Sequence, residues 1–377
     1  NAAVMSWRGE DGGIAAAKQK HDVVMTPGSH CYFDHYQGNK QLEPLAIGGY
    51  TPLKKVYDYE PVPSSLSSTA VKYIIGAQAN MWTEYMATTD HVEYMMMPRM
   101  AALAEVLWTG KKRPGYENFK GRLKKHFGLL DAFQVHYANS IYTVRSSRKV
   151  VNNKVELRFQ TEFDEGKVHY AILNDDPYVT MLDYKPIESI IVEKSSRFKA
   201  QYFEKSMGLG HALIENVIIH QALGKQMVST FPPDKKYNTG GLSTLVDSKV
   251  GQLPRMNEEW LAWKENAPTL TIDLEKITSI NEIVVHTLKE EISWIYLPSN
   301  IRIELSNDNT SFTTCRSLSL QEINELFSDK EGIKIRLSSN QSARYVRLHL
   351  EKPTRIANGM PGAGDKPWLF ISEIEIR

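Results

Sequence analysis

Gly76-Ala77-Gln78-Ala79-Asn80-Met81-Trp82-Thr83-Glu84-Tyr85 is the stretch that decides the fold of this chain. It follows Val71-Lys72-Tyr73-Ile74-Ile75, whose β-branched and aromatic residues predict a short buried strand. After it, from His91 to Trp108, comes a helical pattern rich in Met, Ala and Leu. Trp82 and Glu84 therefore fall just past the carboxyl end of a strand and ahead of a helix. In a (β/α)-barrel, active-site groups gather there. An indole and a carboxylate two residues apart face the same side if extended geometry persists. A sugar site needs both, a flat apolar face for the ring and an acceptor for paired hydroxyls. A core tryptophan beside a surface glutamate fits the same ten residues, so the flanking chain has to decide.

Upstream, two more strand-then-helix units appear. Ala2–Trp7 reads as a strand, Arg8–Gly13 as a loop and Ile14–Lys20 as an Ala-rich helix. Val23–Thr26 reads as the second strand and leads into Pro27-Gly28-Ser29-His30-Cys31-Tyr32-Phe33-Asp34. A polar loop (Gln37–Leu45) and a helical turn at Pro52–Tyr57 follow. Alternating strand and helix predicts parallel α/β structure. Three such units are too few to close an eight-stranded barrel, and the chain opens on Asn1 directly into a strand, as expected of a piece of a longer chain. Residues 113–142 have helical spacing through Phe119, Leu123, Phe127, Leu130 and Phe133, which predicts a helix sealing the barrel.

Near Val144 the period changes. Val155-Leu157-Phe159 and Val168-Tyr170-Ile172 alternate with polar residues, as strands do, and Asn174-Asp175-Asp176-Pro177 reads as a turn. Ser189–Glu193, Phe198–Phe203 and Val217–His220 continue this pattern. From about residue 225, six further strands are expected, at 270–274, 283–286, 301–305, 333–337, 345–350 and 370–376. The expected architecture is multidomain: the C-terminal part of a (β/α)8 TIM barrel over 1–144, a small Ig-like β-sandwich over 145–224, and a jelly-roll sandwich over 225–377.

Composition narrows the function classes. The 377 residues are 42% hydrophobic and 24% charged, with 45 Lys and Arg against 44 Asp and Glu. A formal net charge of +1 gives no sign of a nucleic-acid partner. No apolar run reaches membrane-spanning length. Cys31 and Cys315 fall in different expected domains and are not expected to pair. Residues Gly9–Gly13 lack the spacing of a phosphate-binding loop. His30, Cys31 and His35 crowd one loop, a weak metal signal by itself, and His91 and His126 have no partner at ligand spacing, so neither metal nor cofactor is expected. What remains at the three strand ends is Trp7, Tyr32, Asp34, Trp82 and Glu84. Three aromatics and two acids on one rim suit carbohydrate better than phosphate or metal.

Val4-Met5-Ser6-Trp7-Arg8-Gly9, Tyr32-Phe33-Asp34-His35-Tyr36-Gln37 and Met81-Trp82-Thr83-Glu84 resemble, in order and spacing, the last third of the catalytic barrel of glycoside hydrolase family 20. Tyr94 to Trp108, with Pro98-Arg99 and Ala104-Glu105, resembles the family's final barrel helix. The resemblance covers roughly residues 1–142. It implies an exo-acting β-N-acetylhexosaminidase, in which the substrate's own acetamido oxygen attacks the anomeric carbon, an exception to the two-carboxylate scheme. It further implies that Tyr32 is catalytic, donating a hydrogen bond to that oxygen. Trp7 and Trp82 would wall the pocket, and Asp34 and Glu84 would accept hydrogen bonds from sugar hydroxyls. The family's adjacent Asp-Glu pair, which supplies the general acid, belongs to an earlier strand and has no counterpart in residues 1–144. Glu10-Asp11 has the reverse order, follows the wrong strand and reads as a solvated loop pair. This chain alone is therefore expected to be inactive.

Residues 145–224 are similar to the Ig-like domain of bacterial members, through the 170–177 turn and Phe198-Lys199-Ala200. Residues 225–377 resemble a factor 5/8 type C (discoidin-like) domain, through Leu245-Val246-Asp247, Thr271–Leu274, Trp294–Pro298, Leu305–Asp308 and Tyr345–Leu348. That likeness allows a bound glycan there, although Trp294 and Trp368 could equally plug the sandwich ends. The expected partner is a glycan with a terminal N-acetylhexosamine, and relatives with such appendages imply a periplasmic, secreted or cell-surface setting. The alternative is a non-catalytic carbohydrate-binding fragment or module of a glycan-degrading protein.

Overall fold

A computed structural model describes residues 2–163, 165–173, 185–186, 189–253, 257–338 and 341–377. The chain divides into two compact units, one of Asn1–Val144 with Thr161–Gly166 and Gln201–Ala212, the other of Arg145–Gln160, Lys167–Ala200 and Leu213–Arg377.

The first unit is built on a parallel sheet of β1 (Val4–Ser6), β2 (Val23–Met25) and β3 (Ile74–Ala77), in that spatial order. Helix α1 (Asp11–Lys18) lies between β1 and β2 in sequence and buries Gly13, Ala16 and Ala17. Gly13 has to be glycine for contact reasons, since a Cβ there would meet Met25 Sδ at 2.6 Å and Ser6 Cβ at 3.0 Å. Small residues let the helix lie close on one face of the sheet. Short helices α2 (Gly28–Cys31), α3 (Leu53–Tyr57) and α4 (Ser68–Val71) follow.

The strand expected at 71–75 is displaced. Val71 ends α4, β3 begins at Ile74, and Ile75 is 59% exposed rather than buried. The single helix expected over 91–108 is two, α5 (Thr89–Met96) and α6 (Arg99–Thr109), separated at Met97-Pro98. Proline has no N–H to continue the ladder. Helix α7 (Tyr116–Ala132) buries Phe119, Leu123, Phe127 and Leu130 as its spacing predicts, whereas Phe133 lies past its end and is exposed.

The β-rich remainder begins with two small sheets. One joins β4 (Arg145–Val151), β5 (Lys154–Gln160) and β8 (Ser189–Val192) in the order β4-β5-β8. The other holds β6 (Lys167–Ile172), β7 (Lys185–Pro186), β9 (Ser196–Glu204) and β10 (Met207–Val217) in the order β10-β9-β6-β7. In β6 the expected alternation fails: Val168 and Ala171 are buried and Ile172 is exposed. The turn expected at Asn174–Pro177 lies outside the described residues.

Two five-stranded sheets complete the chain. The first runs β11 (Gln226–Ser229), β13 (Thr269–Ser279), β19 (Ser342–Glu351), β15 (Asn300–Ser306), β16 (Thr313–Ser319). The second runs β12 (Leu261–Trp263), β20 (Leu369–Ile376), β14 (Glu282–Thr287), β18 (Gly332–Arg336), β17 (Phe327–Ser328). Ile272, Ile303 and Leu348 from one sheet and Val285, Ile371 and Ile374 from the other share a single buried cluster, the core of a sandwich. Helix α8 (Leu320–Leu326) starts at a reciprocal cap between Ser319 and Glu322.

Candidate active site

The carboxyl ends of β1 to β3 are held in register by backbone bonds that continue past the strands. Thr26 N–H donates to Ser6 O at 3.1 Å, and Gly28 N–H to Trp7 O at 2.9 Å. A Cβ on Gly28 would sit 3.7 Å from both Trp7 O and the Tyr32 ring, so Trp7, Gly28 and Tyr32 adjoin. Beyond β3, Asn80 pairs in parallel with Tyr32. Its N–H donates to Cys31 O at 2.7 Å, and its carbonyl accepts from Phe33 N–H at 2.8 Å. The Asn80 side chain donates to Thr26 Oγ1 at 2.6 Å, tying two strand ends together.

Asp34 follows directly and is only 4% exposed. Its Oδ1 has no hydrogen-bond partner among the described residues. Burial pushes its carboxyl above the usual range, against its own backbone hydrogen bond, and the neighbouring Glu84 carboxylate pushes it further. Glu84 itself is exposed. Such an acid is poised to accept a hydrogen bond from an incoming group, because the acceptor is otherwise unpaired.

Trp7 and Trp82 are 51% and 54% exposed. The expectation that Trp82 and Glu84 share one side of an extended strand fails, because β3 ends at Ala77 and Met86 N–H closes a turn on Thr83 O at 3.0 Å. The structure thus brings the Trp7 carbonyl and the Tyr32 ring together at Gly28 and lets the Glu84 charge reach Asp34, while Trp82 is exposed two residues before Glu84.

Sequence reading gave Arg99 no role. Its side chain is wholly buried, and its guanidinium donates to the carbonyls of Phe33 (2.5 Å), His35 (2.9 Å), Thr51 (3.0 Å) and Met95 (3.1 Å from Nε). Its carbon lies 4.9 Å from the Phe33 ring centroid. Arg99 therefore clamps the backbone on both sides of Asp34. The signal was present as one arginine in the apolar run Met95-Met96-Met97-Pro98-Arg99-Met100-Ala101-Ala102. Burial of an arginine requires a full set of acceptors.

The other expectations fall as follows. His30 stacks on Tyr59 with ring centroids 4.8 Å apart, and His35 Nδ1 lies 3.0 Å from Thr51 Oγ1. Cys31 and Cys315 are both free, and burial pushes the Cys31 thiol up to about 12, too high for a nucleophile at neutral pH. Glu10 precedes α1 and Asp11 opens it. Asp90, Glu93 and His136 bring donor atoms within 4.8 Å of one another, a grouping their separation in sequence hid. The His136 backbone N–H donates to Glu93 at 2.8 Å, and the Asp90 and His136 side chains are exposed while Glu93 is partly buried. Among the described residues no helix is long and apolar enough to cross a membrane.

A parallel α/β segment with aromatic and acidic side chains at its strand ends, ahead of β-sandwich structure, is the class of protein defined so far. Residues 1–111 match the family model of the glycosyl hydrolase family 20 catalytic domain, and residues 229–363 match that of the F5/8 type C domain. The chain is a glycosyl hydrolase family 20 protein over the first of these regions and carries an F5/8 type C domain over the second. A β-hexosaminidase of Porphyromonas gingivalis is 49% identical over 339 residues, covering 83% of this chain and 40% of that protein. A β-N-acetylhexosaminidase of Cellulomonas fimi is 34% identical over 119 residues, covering 31% of this chain and 24% of that protein. The solved family 20 exo-β-N-acetylglucosaminidase of Vibrio harveyi, in complex with N-acetylglucosamine, is 32% identical with a TM-score of 0.33, covering 37% of this chain and 22% of that one. The chain thus spans well under half the length of these relatives.

Proposed function

We propose that residues 1–144 form part of the sugar pocket of an exo-acting β-N-acetylhexosaminidase that removes terminal N-acetylglucosamine or N-acetylgalactosamine by substrate-assisted, retaining catalysis. The observation that carries this is the parallel bridge of Tyr32 to Asn80. It supports a Tyr32 phenol beside Trp7 at adjacent strand ends, with Asp34 buried immediately behind. In this reading the Tyr32 hydroxyl donates to the acetamido oxygen, which attacks the anomeric carbon as the leaving oxygen departs. The bond holds that oxygen in line with the anomeric carbon, so the reacting atoms are already in the attacking geometry. Trp7 and Trp82 offer apolar walls to the sugar ring, and Asp34 and Glu84 accept from its hydroxyls. A site built on such acceptors rejects an analogue lacking the hydroxyl, because a buried oxygen is left unpaired. Proton donation to the leaving oxygen falls to an Asp-Glu pair outside this chain. The F5/8 type C domain binds glycan, and the enzyme works outside the cytoplasm.

The test is Tyr32→Phe in the longer enzyme that carries this chain. The expected result is a fall in kcat of about 10²-fold with a smaller change in KM, the size typical of losing one such donor. An unchanged kcat with only a raised KM would remove Tyr32 from the chemistry.

A further inference from the structure

Arg99 opens α6 directly after Pro98, so its charge stands at a helix N-terminus whose first turn contains no acid. The helix dipole disfavours a cation there. The side chain is also fully buried, where an ionised group is costly unless it is paired. Burial lowers its pKa to about 9, which leaves it cationic at neutral pH. Yet among the described residues no carboxylate touches the guanidinium. Its terminal nitrogens donate to the carbonyls of Phe33, His35, Thr51 and Met95, and Nε donates to Met95 as well. Carbonyls satisfy the N–H groups and leave the positive charge unanswered. Packing alone does not account for a charge in this position.

The groups that answer the charge stand further off, on different elements. Glu43, in the polar loop after Asp34, and Asp34 itself favour the cation through space, as does the Tyr94 phenol of α5. Glu43 is already engaged, accepting from Tyr94 Oη at 3.0 Å and from Ser140 Oγ at 2.5 Å, and His211 also bears on it. Asp34 is not. It is buried, its Oδ1 is unpaired, and Glu84 opposes its charge while Arg99 supports it. Burial first, then Arg99 and Lys55 of α3, lower the pKa of His35, so the ring next to Asp34 is uncharged at neutral pH. The cation that supports the unpaired carboxyl is thus the one that grips its backbone, at Phe33 O before it and His35 O after it.

We infer that Arg99 is a positioning residue of the sugar pocket: its planar fork fixes the backbone that carries Asp34, and its charge is the counter-charge of the Asp34 carboxylate. Lysine, a point charge without the fork, can supply the second of these and not the first. The inference rests on Asp34 accepting from a sugar hydroxyl in the proposed pocket. It adds the group that holds this acceptor in place and keeps it anionic.

The test uses the longer enzyme that carries this chain and an aryl N-acetyl-β-glucosaminide, and reads kcat/KM against pH. The variants are Asp34→Asn, Arg99→Lys and Arg99→Gln, with each Arg99 change also made beside Asp34→Asn. Asp34→Asn should lower kcat/KM roughly tenfold to a hundredfold, the size of losing a charged acceptor. Arg99→Lys should lower it about tenfold or more in the unsubstituted enzyme, because a small displacement of a binding group is felt strongly. Beside Asp34→Asn the same change should lower it less than about threefold, as expected of residues that act together. Arg99→Gln should also move to higher pH the part of the acidic limb that Asp34→Asn removes, because loss of the cation disfavours the carboxylate. Arg99→Lys, which keeps the charge, should leave that limb in place. Where Arg99→Gln does not fold, judged by circular dichroism, the Arg99→Lys cycle decides alone. Equal losses from Arg99→Lys in the two backgrounds, no loss in either, or an acidic limb unmoved by a folded Arg99→Gln would overturn the inference and leave the sugar pocket standing. Unchanged kcat/KM in Asp34→Asn would overturn Asp34 as an acceptor, and the inference with it.

Discussion

β3 and β19 are both rich in apolar residues, yet they end in opposite circumstances. In β19, Val346, Leu348 and Leu350 are fully buried between β13 and β15 in a core supplied by both sheets of the sandwich. In β3, Ile75 is mostly exposed, and Met5 on β1 is nearly half exposed, although α1 covers the Ser6, Val23 and Met25 side of the same sheet. Parallel sheets ordinarily bury both faces. The sandwich is thus complete in its packing, whereas the barrel segment satisfies one face of its sheet among the described residues. The aromatic and acidic groups at its strand ends share that incompleteness, since walls that hold a sugar need fixed partners.

The largest expected consequence is catalytic. The purified 377-residue chain should show no measurable hydrolysis of an aryl N-acetyl-β-hexosaminide, while the longer enzyme turns over. General acid catalysis alone is commonly worth about 10²–10⁴-fold, and unsupported pocket walls add to that loss. Parent-like turnover by the intact 377-residue chain would break the contrast between the two regions and the assignment of the acid.

Next comes truncation within the complete core. Leu348→Ala removes a side chain with no exposure from the centre of the sandwich, and should cost about 2–5 kcal/mol in urea unfolding. A loss below about 1 kcal/mol would mean the sandwich relaxes around the cavity, and that its packing is looser than the burial pattern indicates.

These two regions also differed in what their sequence disclosed. The sandwich was legible because Ile301-Ile303-Leu305 and Val346-Leu348-Leu350 alternate with polar residues over long strands. Its polar interior was not. Leu369-Phe370-Ile371-Ser372-Glu373-Ile374-Glu375-Ile376 reads as half-exposed beyond Ser372, yet every residue is buried. Glu373 and Glu375 are accommodated by His220 at 2.8 Å and His286 at 2.5 Å, partners far away in sequence. In the barrel segment the order of strand and helix units could be read directly, though not the short helix α2 between β2 and Tyr32. The three-residue shift of β3 could not, because Val71 and Ile74 are alike in β-propensity and only the end of α4 separates them. The burial of Arg99 could be suspected from its apolar run, but its role could not, because its acceptors are backbone carbonyls, which carry no sequence signature. Strand β10 was largely missed because Gly208 and Gly210 interrupt any alternation at its start.

The buried acid of β20 gives a prediction of intermediate size, with a sign. Burial, then the nearby Asp247, raise the Glu373 carboxyl well above its ordinary value. Burial drives His220 down to about 4. Burial thus opposes charge on both members of the pair. A raised folded-state pKa contributes stability at low pH that is lost as pH rises above the unfolded value. His220, depressed, acts in the other sense and loses stability as pH falls from about 6.5 toward 4. Glu373→Gln keeps the shape and removes the titration of the acid. Relative to the unsubstituted chain, it should gain stability as pH rises above the ordinary carboxyl value of about 4.5, read as a shift in urea midpoint. A difference between the two proteins that does not change with pH would show that Glu373 is charged in the fold.

The smallest effect should come from the open face of the barrel segment, and it sharpens the comparison most directly. Ile75 is a β-strand isoleucine that keeps 59% of its surface exposed in this chain. Replacing it with serine removes little buried apolar area, so the cost in the 377-residue chain should stay within about 0.5 kcal/mol. In the longer enzyme the same position should lie inside a closed barrel, where both faces of a parallel strand are covered. There Ile75→Ser exchanges a packed side chain for a hydroxyl needing a partner, and the cost should rise to about 2 kcal/mol or more. Measuring the same substitution in both proteins separates the residue's own preference from the covering it receives. Equal, small costs in the two would mean that Ile75 faces solvent in the complete enzyme as well, and that β1 to β3 pack there as they do here.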